Sequence, residues 1–333
     1  MTTSGLSVAV IWGGPSSEAA VSRVSSEAVR AALETGGHRA NSVELDAGIC
    51  DRLAHTRPDV VFPVTHGPLG EDGCLQGLLE VQGFAYVGSG VLASGLAASK
   101  PHAKIHFRAA GLPVAPEAIV LRGDESAALA AELRGTLGRA VVVKPAAGGS
   151  AIGVSRVKAS DPDSVLRAAL DAALRVDRAA LVEQFVEGRE VTCAVLDDDA
   201  GVPQALPPTL IEPLAADWYD FTSRYGTGGS RHHCPPPFEP ALTRRIQEVA
   251  VGAFRALGCR DLARVDFVVS DAEPLSAITL LEVNTLPGMT ATSLFPEAAG
   301  VAGIGFVELC TALVRRAYAR VRLRVPSVVP MPP

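Results

Sequence analysis

Lysine is nearly missing from this chain. Only residues 100, 104, 144 and 158 of 333 are lysine, and the other basic residues are arginine. In a chain so biased, a lysine marks a place where a compact ammonium is needed rather than a planar fork. No CxxC pair occurs among the six cysteines, at 50, 74, 193, 234, 259 and 310. That spacing excludes a disulfide framework or a zinc ribbon and leaves buried thiols in a reducing compartment. His232-His233-Cys234 fits no standard zinc spacing. No apolar run reaches membrane-spanning length, and the N-terminus has neither a basic start nor a cleavage-site pattern, so the expected location is the cytoplasm. A net charge of −6 argues against broad nucleic-acid binding. There is no internal repeat, and no GxGxxG follows the first strand, which argues against a dinucleotide-dependent dehydrogenase.

What remains suits a globular enzyme of two or three domains: 48% hydrophobic residues with 20% charged. Ser7–Trp12 reads as a buried parallel strand, turned by Gly13-Gly14-Pro15 into a helix over Ser16–Glu34. This unit brings Glu18 to a strand's carboxyl end, where open α/β sheets bind ligands. Asp59–Pro63 is a second such strand, followed by a polar glycine-rich loop with His66 and Glu71, a helix around Leu75–Leu79 and a short strand at Phe84–Val87. Lys100–Ala110 reads as a helix, and 112–116 as a linker-like break. Ala140–Lys144 and Val154–Val157 read as strands flanking Pro145–Gly153, a small-residue flap whose amides can close over phosphates. Asp161-Pro162 forms an N-cap and first turn for a helix reaching Val176. Strands follow at Leu181–Phe185, Gly188–Leu196 and Gln204–Ile211, then a mobile glycine-rich loop over Leu214–Ser230, a helix over Pro240–Leu257 and a final helix over Phe306–Val321.

The most informative stretch is Leu280–Ser293, LLEVNTLPGMTATS. Side chains two apart on a strand share a face, so Glu282 and Asn284 point together. Leu262–Ser270 carries Arg264 and Asp266 in the same way. Asp266, Glu282 and Asn284 on adjacent strands make an all-oxygen cluster of the kind that suits Mg²⁺ bound with phosphates.

Nine motifs in order resemble the D-alanine–D-alanine ligases, members of the ATP-grasp superfamily. They are GGPSSEAAVS (13–22), HGPLGEDGCLQGLLE (66–80), YVGSGVLAS (86–94), AAGLPVAP (109–116), VKPAAGGSAIGVSRV (143–157), VEQFVEGREV (182–191), WYDFTSRY (218–225), ARVDF (263–267) and LEVNTLPGMTATSL (281–294). The resemblance implies an α/β and α+β architecture: an N-terminal Rossmann-like, pre-ATP-grasp domain over 1–100, a small central subdomain over 101–187 and a C-terminal subdomain over 188–322; the proline-rich composition of 323–333 reads as a disordered tail. It implies ATP and two Mg²⁺ ions, with Mn²⁺ as an alternative, held by Asp266, Glu282 and Asn284. Lys100, Lys144, Ser150 and Arg224 fall with the phosphates, and Glu183, Val186 and Glu190 with adenosine. Glu18 binds the first substrate's ammonium and joins Ser150 and Tyr225 in a hydrogen-bonded set. Arg264 and the Gly288 amide form an oxyanion site, His66 borders the substrates, and Ser293 and Leu294 bound the second one. The family also implies small amino acid substrates, a homodimer and a role in peptidoglycan synthesis.

The chain departs from the family pattern at Arg224, where lysine is usual, and at Thr222, Gly148, Ala151, Ala19 and Ala20, where polar or acidic residues are common. None removes a metal ligand. They leave open a relative that joins other amino acids in a secondary-metabolite or resistance pathway. A nucleotide-binding protein without ligase activity is the alternative of another class.

Overall fold

Ser7–Gly13 (β1) is apolar on both faces, as a covered parallel strand must be. It lies between two parallel partners, Arg39–Leu45 (β2) and Val60–Pro63 (β3), in the order β2-β1-β3. A computed structural model of the chain describes residues 5–124, 128–149, 151–214, 229–270 and 278–322. Ala19–Thr35 (α1) starts three residues later than Ser16 and stops at Gly36. Ile49–Thr56 (α2), Cys74–Gln82 (α3) and Val91–Ala98 (α4) complete this region. The strand expected at Phe84–Val87 shrinks to one bridge, Val61 to Tyr86, because the chain leaves the sheet at Gly88 with φ +99°.

Lys100–Ala109 (α5) leads to a second, antiparallel sheet. Its strands are Glu117–Leu121 (β4), Val141–Pro145 (β5), Ser155–Val157 (β6) and Ala179–Gln184 (β7), in the order β4-β7-β5-β6. Leu129–Leu137 (α6) and Asp163–Val176 (α7) cover one face, burying Leu133, Leu166 and Leu170 against Val141, Val143 and Val182. Asp161 does not cap α7. Its carboxylate turns back to accept the Lys158 N–H at 2.7 Å, and Pro162 occupies the cap position.

The third sheet runs Ser230–His233 (β11), Thr209–Pro213 (β10), Arg189–Asp197 (β8), Leu262–Val269 (β12) and Ile278–Asn284 (β13), with Pro203–Ala205 (β9) also on β8. The single strand expected over Gln204–Ile211 is split into β9 and β10, since Pro207 and Pro208 offer no N–H to a ladder. Pro240–Ala256 (α8) packs on it through Leu242, Ile246, Val249 and Ala253. Leu294–Val301 (α9) and Phe306–Arg322 (α10) join this sheet to the first. One core holds Val8, Phe62 and Val64 together with Leu196, Met289, Phe295 and Leu313. Asp261, 1% exposed, clasps the same junction. It accepts the Gly88 N–H at 2.8 Å and both Arg320 Nη groups at 2.7 and 2.8 Å, while Arg320 also donates to the Tyr86 carbonyl at 2.9 Å. Among the described residues no single helix is long and apolar enough to cross a membrane.

Candidate active site

β12 and β13 pair antiparallel with Arg264 opposite Asn284 and Asp266 opposite Glu282, and a bulge follows Asp266. The strand alternation thus brings together the residues it was expected to. Asp266 accepts from Arg264 Nε at 2.9 Å, Arg264 Nη2 at 2.8 Å and Thr192 Oγ1 at 2.6 Å. Lys100 Nζ lies 3.4 Å from Glu282 Oε2 and donates to the flap carbonyl of Gly148 at 2.5 Å. Asn284 Oδ1 accepts the Leu286 N–H at 3.0 Å, which fixes the amide's orientation.

These side chains face a cavity of about 810 Å³, also lined by Glu18, His66, Gly288, Ser293 and Leu294. His66 lies three residues beyond the end of β3 and is 7% exposed, with Nδ1 3.8 Å from Glu71 Oε2. Burial opposes its protonation, but the Glu71 carboxylate, aided by Glu18, prevails and raises its pKa. A Cβ on Gly149 would sit 3.7 Å from Glu18 Oε2, so the flap tip approaches that carboxylate. A Cβ on Gly288 would lie 2.8 Å from Ser293 Oγ, so any side chain there would force that hydroxyl to shift. Ser293 Oγ is held in turn by Thr290 Oγ1 at 2.7 Å and the Thr290 N–H at 3.1 Å.

A second cavity of about 140 Å³ opens between the central and C-terminal sheets. Its walls are mostly apolar, including Val142, Ile152, Phe185, Val186 and Leu281, with Lys144, Glu183 and Glu190 among them. The two cavities share Lys100, Gly148, Gly149, Glu190 and Glu282. A ligand with a flat apolar end and an anionic end could thus occupy both.

Behind the small cavity lies a buried ion cluster that the sequence did not announce. Glu183, 3% exposed, pairs with both Lys144 and Lys104. Lys104 also faces Glu117 Oε2 at 3.4 Å, and Arg108 reaches Glu117 Oε1 at 2.7 Å. Burial disfavours charge on Glu183 and Lys144, yet the attraction of Lys144 and Lys104 lowers the Glu183 pKa, and that of Glu183 raises the Lys144 pKa. Lys144, expected at phosphates, is here a partner of Glu183.

Ser150, Thr222, Arg224 and Tyr225 lie outside the described residues, as does most of the loop expected over Leu214–Ser230. Among the described residues no three His, Cys, Asp or Glu side chains group as metal ligands. The candidate donor set is two carboxylates and one amide oxygen. His232 and His233 diverge: His232 Nδ1 pairs with Glu297 Oε2 at 2.8 Å, and His233 Nε2 with Glu212 Oε2 at 2.8 Å. His232 lines the large cavity. The sequence named Lys104 only among the four lysines and His232 only in a run that fits no zinc spacing, and gave neither a place in the site, although Lys104 stands four residues after Lys100 on one helical face.

Comparison with known proteins bears on this geometry. Residues 106–315 match the family described as D-ala D-ala ligase C-terminus, and residues 47–89 match D-ala D-ala ligase N-terminus. The chain is 42% identical over 315 residues to a D-alanine–D-alanine ligase of Geotalea uraniireducens, covering 94% of this chain and 96% of that one. It is 44% identical over 313 residues to one of Ruegeria pomeroyi, covering 93% and 95%. Among solved structures, the D-alanine–D-alanine ligase of Coxiella burnetii superposes with a TM-score of 0.81 at 26% identity over 96% of each chain. That of Bacillus anthracis complexed with ATP gives 0.79 at 27% identity, over 96% of this chain and 99% of that one.

Proposed function

The chain belongs to the D-alanine–D-alanine ligase family, and from that premise we propose that it joins two D-alanines into D-alanyl-D-alanine with cleavage of ATP to ADP and phosphate. The observation that carries this reading is the pair of cavities with a common wall: an apolar slot suited to a base, opening onto a polar chamber rimmed by Lys100, Arg264 and oxygen donors.

The chemistry follows from what the wall offers. A carboxylate is a poor electrophile. Its oxygen attacks the γ-phosphorus of ATP, ADP leaves, and an acyl phosphate results. The amine of a second amino acid then attacks the carbonyl carbon, and phosphate departs with the former carboxylate oxygen. Lys100 and Lys144 bind phosphates as point charges, with Ser150 and Arg224 nearby. Glu183, Val186 and Glu190 hold adenosine. Glu18 holds the first ammonium, and His66 borders it. Arg264 and the Gly288 N–H stabilise charge developing on the carbonyl oxygen. Ser293 and Leu294 seat the second amino acid, and Tyr225 joins Glu18 and Ser150 in closing the chamber.

The donor set fits Mg²⁺. Asp266, Glu282 and Asn284 present hard oxygen donors of the kind Mg²⁺ takes to one chamber, and a bound ion would share Asp266 with Arg264 and Glu282 with Lys100. When bound there, Mg²⁺ neutralises charge on the transferring phosphoryl group. The same reading makes the protein a cytoplasmic homodimer serving peptidoglycan synthesis, with an N-terminal domain to about 100 and two ATP-grasp subdomains meeting near 187, of which the C-terminal one also receives α5 on its core. Phosphate release measured with ATP, Mg²⁺ and a panel of D- and L-amino acids tests the reading. Release that depends on D-alanine supports it. Release indifferent to every amino acid sinks the ligase assignment, and preference for another amino acid redirects the substrate.

A further inference from the structure

The α5 face carries more charge than phosphate binding alone requires. Lys100, Lys104 and Arg108 recur every four residues and so share one side of the helix. Lys100 reaches the flap and Glu282, and Arg108 reaches Glu117 at the half-exposed end. Lys104, between them, is 0% exposed and faces both Glu117 and Glu183. A buried ammonium is costly unless it balances an anion. Yet Glu183 already has Lys144 on its cavity side, so one of its two ammonium partners is surplus in the structure as it stands.

We propose that Lys104 is a positioning residue for nucleotide binding: it keeps the Glu183 carboxylate balanced and fixed, so that Lys144 can leave it for a phosphate. The inference rests on the ATP-binding reading above. With Lys144 drawn away, Lys104 and Arg108 still face Glu183 and Glu117, two cations against two anions. Without Lys104, the same movement strands a buried carboxylate. α5 packs through Ala103 and Phe107 on the core of the C-terminal sheet, whereas Glu117, Lys144 and Glu183 belong to the central sheet. Lys104 therefore reaches Glu183 across the seam from a different body.

The test is Lys104→Met, with affinities for ATP and for adenosine measured by titration in Mg²⁺, beside thermal unfolding without nucleotide. In this variant Lys144 still balances Glu183, and Arg108 still balances Glu117, so the nucleotide-free protein should keep its fold. ATP affinity should fall about 100-fold, because phosphate binding now strands the carboxylate. Adenosine has no phosphate to draw Lys144 away and should bind almost unchanged. Undiminished ATP affinity, or equal losses for ATP and adenosine, overturns the proposal. Should Lys104→Met fail to fold, Lys104→Met/Glu117→Gln removes the buried pair together. Weak ATP binding is still expected there, and unaltered affinity overturns the proposal. If the unsubstituted protein binds no ATP, the ATP reading falls and the inference with it. If it binds ATP and Lys104→Met binds it equally, the inference alone falls.

Discussion

The central sheet and the two outer sheets are built on opposite plans. Every buried residue of the central core lies between Val120 and Val182, so that body closes on its own side chains. The outer sheets share a core that draws on residues from Leu6 to Ala317, and Asp261 clasps them at Gly88 and Arg320. The groups that must keep fixed mutual distances sit on the fused body: Glu18, His66, Arg264, Asp266, Glu282, Asn284, Gly288 and Ser293. The flap, Lys144 and Glu183 sit on the separate one. Between the bodies the described contacts of α5 are largely ionic, through Lys100, Lys104 and Arg108. Ion pairs can exchange partners as a ligand arrives, whereas a close-packed apolar interface resists displacement. The division suits a rigid reaction chamber beneath a closing nucleotide lid.

The largest expected effect concerns the fused body's side of that seam. Glu282→Ala should abolish phosphate release and leave circular dichroism unchanged, since its side chain lines the chamber rather than a core. Substantial activity in the variant contradicts its assignment as a metal ligand. Matched core truncations address the comparison itself. Phe295→Ala should cost about 3–5 kcal/mol and Leu166→Ala about 2–5 kcal/mol in denaturant unfolding. By hydrogen exchange, Phe295→Ala should lower protection in both outer sheets together, and Leu166→Ala in the central sheet alone. Loss of protection in all three sheets on Leu166→Ala removes the distinction between bodies. The smallest effect belongs to Gly288→Ala, whose new methyl group meets Ser293 Oγ. Overpacking of about 1–3 kcal/mol should raise the KM for the second amino acid more than that for ATP. Equal changes argue against Ser293 at the second substrate's site.

Much of the chamber was legible in the sequence because it rests on strand periodicity. Arg264 and Asp266, with Glu282 and Asn284, alternate out of apolar runs, and the pairing of Asp266 opposite Glu282 follows once β12 and β13 are neighbours. Elements without an apolar run were not legible. β2 reads RANSVEL, an edge strand whose exposed face carries polar residues. α6 and β11 are short or half-exposed for the same reason, whereas β4, EAIVL, has an apolar run but buries only Val120. The buried cluster was hidden differently. The four-residue spacing of Lys100, Lys104 and Arg108 was visible, but Glu117 lay in a strand not foreseen after the break at 112–116. What faces a helix depends on tertiary packing. Glu183 could therefore be assigned to the nucleotide by resemblance, while its second ammonium partner could not.

The most direct measurement follows an oxygen atom. D-alanine labelled with ¹⁸O in its carboxylate is turned over with ATP and Mg²⁺, and the released phosphate and dipeptide are analysed together. Attack of the carboxylate on ATP, followed by amine attack on the acyl phosphate, predicts one labelled oxygen in phosphate for each D-alanyl-D-alanine formed. Phosphate released without label, or without accompanying dipeptide, contradicts the joining of two amino acids in this chamber.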